Sequence, residues 1–181
     1  MTRKPSERYE FPPNDTIRFE NPGKGAFRLE TSQVLPVSPE QAFVFFEDPR
    51  NLNEITPDWL DFRMTGRGSL TSVYEGAEFD YTIRWLGVTF PWRGRIADYH
   101  PPDRFTDIQV RGPYRSWVHL HIFSSLPEGT LMKDIVTYEV PYGQAGRLVH
   151  RFLIRRQLED IFRYRAMRIR EWVSGSLRPK P

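Results

Sequence analysis

The sequence predicts an α+β fold: seven antiparallel strands in a curved sheet around one long C-terminal helix, with two short helices after the first strand. Three observations predict it. Six strand-like runs follow one another between Leu60 and Val140, separated by turn residues. A helical period is sustained only near the C-terminus, from about Ala145 to Val173. Aromatic residues make up 14 % of the 181 positions, five of them Trp, which suits a wide apolar interior.

Residues 1–24 carry Pro5, Pro12, Pro13 and Pro22 with no apolar period, and are expected to form an extended arm outside the domain. The domain itself is expected over residues 25–175, with a tail at 176–181. Phe27 to Val37 reads as the first strand. Ser38-Pro39-Glu40-Gln41 then opens a helix: Ser38 can cap, Pro39 suits the first helical position, and Gln41 closes a capping box. Asp48-Pro49 repeats the signal for a second short helix, which Thr56-Pro57 ends. The six runs that follow are roughly Leu60–Gly66, Glu78–Leu86, Thr89–Tyr99, Phe105–Arg111, Ser116–Ser125 and Thr130–Val140. Their short links imply hairpins. In the long helix Leu148, Phe152, Leu158, Ile161, Phe162, Arg165, Ile169, Trp172 and Val173 form the expected stripe against the sheet. A strongly bent sheet cannot touch such a helix along its whole length, so a ligand space is expected between them.

Composition narrows the function. With no cysteine, disulfides and thiolate metal sites are excluded. The first residues have no apolar stretch of a secretory signal, and no run approaches the ~20 residues of a membrane span, so a cytoplasmic location is expected. Net charge is +3, but eight Arg fall between Arg147 and Arg170, where the only acids are Glu159 and Asp160. These arginines are expected to solvate the outer helix face. A membrane-surface or regulatory role for this basic helix is the further alternative.

Strand parity supplies candidate site residues. Phe79, Tyr81, Ile83 and Trp85 alternate cleanly with polar residues, as do Phe90, Trp92, Gly94 and Ile96, so both rows should face the helix. The next three strands carry apolar residues on both faces. One reading turns Asp107, Gln109, His119, His121 and Asp134 inward beside Phe105, Trp117, Phe123, Met132 and Tyr138. The other turns them outward and buries Ile108, Val110, Leu120 and Ile122. If they are inward, a buried carboxylate needs a partner, and either imidazole could pair with Asp107 or Asp134. His119 and His121 with such a carboxylate could also serve as a general base. Their spacing would admit a metal, but it is common by chance and none is expected.

The order of elements and three stretches resemble the START/Bet v 1-like (SRPBCC) superfamily, in particular its bacterial polyketide cyclase/dehydrase-like single-domain proteins. The stretches are Ser38-Pro-Glu-Gln-Ala-Phe-Val-Phe-Phe-Glu-Asp-Pro-Arg-Asn-Leu-Asn-Glu-Ile-Thr-Pro57, Phe105-Thr-Asp-Ile-Gln-Val-Arg-Gly-Pro-Tyr-Arg-Ser-Trp-Val-His-Leu-His121 and Gly129-Thr-Leu-Met-Lys-Asp-Ile-Val-Thr-Tyr138. The resemblance spans about Phe27 to Val173 and implies the helix-grip fold. It implies either a carrier of a lipid, isoprenoid, quinone or aromatic polyketide, or an aromatase/cyclase. No nucleophile motif, phosphate loop or cofactor fingerprint is present, which favours binding over turnover and implies no cofactor. Expected ligand contacts are Phe45, Tyr81, Trp92, Trp117 and Tyr138 for the apolar body, and Gln109, His119, His121 and Asp134 for its polar group. His119, His121 and Asp134 are the catalytic candidates should there be turnover. Trp172 is expected to anchor the helix end, Trp59 to stand at the mouth, and His100 and His150 to lie on the surface. Expected partners are a small hydrophobic ligand, no nucleic acid and at most transient membrane contact, for a monomer or homodimer.

Overall fold

The computed structural model describes residues 15–23, 25–65, 72–85 and 87–176. The sheet is antiparallel and eight-stranded: β1 (Thr16–Gly23), β2 (Ala26–Leu35), β3 (Arg63–Met64), β4 (Glu78–Trp85), β5 (Val88–His100), β6 (Arg104–Arg111), β7 (Ser116–Leu126) and β8 (Gly129–Glu139). The spatial order β1-β2-β8-β7-β6-β5-β4-β3 makes every neighbour except β2–β8 consecutive in sequence. Register shifts between β5 and β6, at Arg93/Gly94 and Ile96/Asp98, mark where an extra residue bends the strand and deepens the curl.

Two short helices, α1 (Pro39–Glu47) and α2 (Asn51–Glu54), follow β2. The predicted capping box is formed: the Gln41 N–H donates to Ser38 Oγ and the Ser38 N–H donates to Gln41 Oε1 at 3.0 Å. Asp48 Oδ1 accepts from the Arg50 N–H at the entry to α2. The expected strand over Leu60–Gly66 is mostly something else. Asp58–Leu60 is a single 3-10 turn that buries Leu60, the strand shrinks to Arg63–Met64, and Gly66 lies outside the described residues.

The expected arm also contributes to the sheet. Thr16–Gly23 pairs with β2 as an eighth strand, and the buried Asp15 side chain forms an ion pair with Arg170. β1 extends the sheet sideways and does not cover its outer face, where Val110 and Val118 stay exposed and Leu120 and Ile122 half-buried.

The long helix comprises α3 (Gly143–Val149), a π-helical turn (His150–Ile154) and α4 (Arg155–Val173). The turn corrects the expected stripe. A π turn holds one residue more than an α turn, so the inward phase slips across it. Leu148 and Phe152 face out, at 61 % and 69 % exposure, while His150 and Ile154 are buried. His150 is therefore not a surface residue. Its ring stacks on Phe27 at 3.5 Å between centroids, and its Nε2 lies 2.7 Å from Tyr138 Oη. His100 is exposed, 2.8 Å from Asp98. Besides Arg165, whose burial fits its place in the stripe, one arginine departs from the expected solvated face. Arg168 is buried where it donates to the Glu54 carbonyl at 3.0 Å and pairs with the Glu54 carboxylate at 2.9 Å.

Two apolar clusters fasten α4. One joins Phe43, Phe45, Phe46, Phe105, Phe123 and Met132 to Ile169, with Trp172 against Phe45. The other joins Phe27, Leu29, Val136, Tyr138 and Val140 to Ile154, Leu158 and Phe162. The second lies on the β2 and β8 side of the helix; the first joins α1 to β6, β7 and β8 and reaches Ile96 of β5. On the β4–β5 side the layers stand apart.

Burial pushes His150 down to about 4 from its ordinary 6.5, with Arg155 adding to the shift. As pH falls, the unfolded chain therefore takes up the proton first. The stabilisation is complete above pH 6.5 and is lost as pH drops through 4. At ~1.4 kcal/mol per unit this is on the order of 3–4 kcal/mol. We predict a falling melting temperature over that range in a pH series. His150→Gln, which keeps a partner for Tyr138 Oη, should flatten the fall. An unchanged slope would remove His150 as its source.

Candidate functional site

The gap between α4 and the β4–β5 side of the sheet is a cavity of about 920 Å³. Its walls come from alternating positions, as the parity of β4 and β5 requires: Phe79, Tyr81, Ile83 and Trp85, then Phe90, Trp92, Gly94 and Ile96. α4 supplies Leu158, Ile161, Phe162 and Arg165, and α1 supplies Phe45 and Phe46. Aromatic rings lock the walls together. Tyr81 stacks on Trp92 at 5.7 Å, and Trp92 meets Trp117 edge-on at 5.5 Å. The Trp85 indole N–H donates to Gln157 Oε1, bridging sheet and helix at one end.

Apolar residues dominate this wall, and a buried polar cluster interrupts it. The row Trp117, His119, His121 and Phe123 faces the helix, and the register of β6, β7 and β8 sets Asp107 across from His119 and Asp134 across from His121. Each imidazole touches both carboxylates. His119 Nε2 is 3.0 Å from Asp134 Oδ1, and its Nδ1 is 3.4 Å from Asp107 Oδ2. His121 Nε2 is 3.0 Å from Asp107 Oδ2. His121 Nδ1 lies 2.8 Å from Asp134 Oδ1 but out of line for a hydrogen bond, so it is a contact without a bond. The two rings lie 3.8 Å apart, and His121 stacks on Phe105 at 4.0 Å. Both histidines are almost fully buried, at 4 % and 2 % exposure.

Electrostatics follow from this crowding. Burial, and then His121, pushes His119 down to about 4 against the pull of both carboxylates, so it is neutral near pH 7. Burial also acts to raise both acids. His119, His121 and Arg165 outweigh it at Asp107; Arg165 with the two imidazoles outweighs it at Asp134, and both stay ionised. Tyr81 is held well above its ordinary value by burial and by Asp107, so its hydroxyl keeps its proton.

Arg165 completes the site, although helical periodicity places it only in the stripe against the sheet. It is 9 % exposed and lines the cavity, with its guanidinium carbon 5.8 Å from the ring centres of Phe46 and Phe162. Its Nε is buried without a hydrogen-bond acceptor. The available signal was a permanent cation recurring in an otherwise apolar helix face.

Three expected ligand contacts lie off the wall. Gln109 clamps the β6–β7 turn, donating to the Tyr114 carbonyl at 2.8 Å and accepting from the Tyr114 N–H; a Cβ on Gly112 would strike its side chain. Tyr138 is core, committed to His150. Asp134 sits behind the imidazoles, where Thr31 Oγ1 also donates to it at 3.4 Å, so it reaches the cavity only through them. Phe45, Tyr81, Trp92, Trp117, His119 and His121 line the cavity, as do Asp107, Tyr114 and Trp59. Asp107, His119 and His121 are the described residues able to gather around a metal, with ligand atoms within 4.8 Å of one another. Here those atoms form the hydrogen-bonded cluster.

Removing one partner from a buried ionic cluster costs about 3–5 kcal/mol. Asp134→Ala is expected to lose that much in urea unfolding. Asp107→Ala should lose less, because the Asp107 side chain is 30 % exposed and water can replace it. Equal losses would contradict this division between support and cavity wall.

The family model for polyketide cyclase/dehydrase and lipid transport matches residues 35–163. No curated protein sequence matches the chain. Among solved structures, a Thermus thermophilus protein superposes with TM-score 0.63 at 17 % identity, covering 82 % of this chain and 98 % of its own. A Rhodobacter sphaeroides protein gives 0.55 at 22 %, covering 84 % and 97 %. The di-domain ARO/CYC StfQ of the steffimycin biosynthetic pathway gives 0.57 at 16 %, covering 83 % of this chain and 52 % of that one. At these identities the likeness is one of fold.

Proposed function

The chain belongs to the polyketide cyclase/dehydrase and lipid-transport family, and from that premise we propose that it binds a small hydrophobic molecule carrying one oxygen-bearing polar group. The cavity carries this reading: about 920 Å³ walled chiefly by aromatic and aliphatic side chains, with the buried cluster of Asp107, His119, His121 and Arg165 in its wall. An apolar body buried there gains about 25 cal/mol per Å² of surface removed from water. The polar group is oriented by the Arg165 guanidinium and the His119–His121 pair. Arg165 has donors to offer, and each imidazole is backed by a carboxylate that fixes its ring. Lipids, isoprenoids, quinones and aromatic polyketides all fit that description.

A second reading rests on the same cluster. His119, kept neutral by burial and hydrogen-bonded to an ionised carboxylate, is equipped to take a proton from carbon next to a carbonyl. Arg165 beside it would stabilise the resulting enolate. That is the aromatase/cyclase alternative, with His119 or His121 as base and Asp107 or Asp134 as its support.

The two readings separate experimentally. Native mass spectrometry of freshly purified protein, followed by solvent extraction, is expected to release a bound organic molecule. Trp117→Ala, His121→Ala and Arg165→Met are each expected to weaken its rebinding at least about ten-fold, the ~1.4 kcal/mol of one lost contact, measured on protein that is still folded. A loss of melting temperature without a loss of affinity would make these residues structural. Chemical conversion of the molecule that disappears in His121→Ala while binding persists would favour the enzyme.

A further inference from the structure

Exposed apolar side chains gather where the cavity opens. Tyr142, at 85 % exposure, and Val149 both line the cavity and face solvent, so they stand at its mouth; Trp59 and Met64 do the same from the other lip. Leu148 and Phe152 continue the surface along α3 and the π turn. Nothing in the fold asks for this. The inward side of the same segment is already filled by Gly146, His150 and Ile154.

Charge on the helical part of this surface has one sign. Arg147, Arg151, Arg155 and Arg156 are all exposed, and the sequence has no acid between Glu139 and Glu159. No carboxylate among the described residues pairs with any of the four. The nearby contacts are to rings, with Arg151 near Phe152 at 5.7 Å and Arg155 over Phe19 at 4.9 Å. Elsewhere on the helix, Arg165 of the cavity aside, the arginines are paired: Arg163 with Glu159, Arg168 with Glu54 and Glu171, and Arg170 with Asp15.

We propose that the segment Tyr142–Arg156, with Trp59 and Met64, docks the cavity mouth on an anionic lipid bilayer. Tyr and Trp suit the headgroup level, the aliphatic and Phe side chains enter the acyl boundary, and the row Arg147, Arg151 and Arg155 meets lipid phosphates. Its complement is a surface that is negative and has a soft apolar layer beneath. A nucleic acid would satisfy the charge and leave Leu148 and Phe152 in water. A protein partner would need carboxylates set against each arginine. The docked orientation turns the opening toward the membrane, so an apolar molecule could pass between bilayer and cavity without crossing water. Docking itself does not depend on what the cavity holds, so its test stands apart from that of the ligand.

The test is flotation of the full chain with vesicles of phosphatidylcholine alone or with about one-third phosphatidylglycerol. The protein is expected to float with the anionic vesicles and to bind the neutral ones at least about ten-fold more weakly. Raising salt from about 0.1 to about 0.5 M should release it. Arg147→Glu with Arg151→Glu should weaken binding at least about ten-fold. Phe152→Glu should also weaken it, with the melting temperature unchanged because that side chain is exposed. Failure to float, or equal binding to both vesicle types, would overturn the proposal. So would a concentration-dependent dimer, lost in Phe152→Glu, without vesicle binding, since the patch would then join two copies of the chain.

Discussion

The long helix packs mainly on one side, with the Trp85–Gln157 hydrogen bond bridging to β4 at one end, and the hollow exists for that reason. Ile154, Leu158 and Phe162 are buried against β2 and β8, Ile169 against the phenylalanines of α1, and Arg168 is tied to Glu54. These contacts fix where the helix can lie. The sheet then curls away through β6, β5 and β4, helped by the two irregularities between β5 and β6. To close the gap the helix would have to give up its buried face on β2 and β8, at about 1.5–3 kcal/mol for each large side chain exposed. Filling it by larger side chains is the other route to a tight core. The sequence instead places Gly94 in the cavity wall, between Trp92 and Ile96.

The polar cluster obeys the same economy of charge. Asp107 and Asp134 are ionised, Arg165 is permanently charged, and His119 is neutral near pH 7. A lone carboxylate in this apolar setting would be pushed to its protonated form. Here each has two imidazole partners and a guanidinium in the neighbourhood. This arrangement explains why the groups occur together and not as a single pair. Removing either imidazole takes hydrogen-bonding partners from the carboxylates, and removing Arg165 leaves two anions with no permanent countercharge. The cavity sees this assembly from one side, through Asp107, the two imidazoles and Arg165, while Asp134 and Thr31 secure it from behind.

Sequence pattern is most informative where one face of an element is polar. Alternation in β4 and β5 identifies the cavity wall residue by residue, and the Ser38–Gln41 capping box locates the start of α1. Pattern is ambiguous for β6, β7 and β8. The outer face there keeps Val110 and Val118 in contact with solvent and Leu120 and Ile122 half-buried, so apolar residues occupy both sides of the strands. The sheet's register is needed to bring Asp107, His119, His121 and Asp134 into one cluster. Parity alone draws Gln109 and Tyr138 into the expected site. It cannot report that the turn at Gly112–Tyr114 takes up the Gln109 amide, or that a histidine from the distant helix reaches the Tyr138 hydroxyl. The N-terminal segment eludes pattern for a related reason. Thr16–Gly23 is an edge strand in which only Ile17 and Phe19 alternate with polar residues, half-buried, before Asn21-Pro22-Gly23, a run too short to stand out as a strand.

The helix phase is the most informative discrepancy. Counting from Leu148 through Phe152 to Leu158 assumes an unbroken helical period, and the π turn at His150–Ile154 breaks it. A regular helix would turn Phe152 nearer the core and His150 away from it. The extra residue costs hydrogen-bond geometry, and a fold gains nothing from presenting Leu148, Val149 and Phe152 to water. Such turns persist where a displaced face has a use. In this protein the displaced face borders the cavity opening and carries on its flank arginines with which no carboxylate among the described residues pairs. The irregularity that defeats the periodicity argument thus also separates the helix into two parts with different duties. α4 closes the core, and the turn preceding it, with α3, forms the outward lip of the binding space.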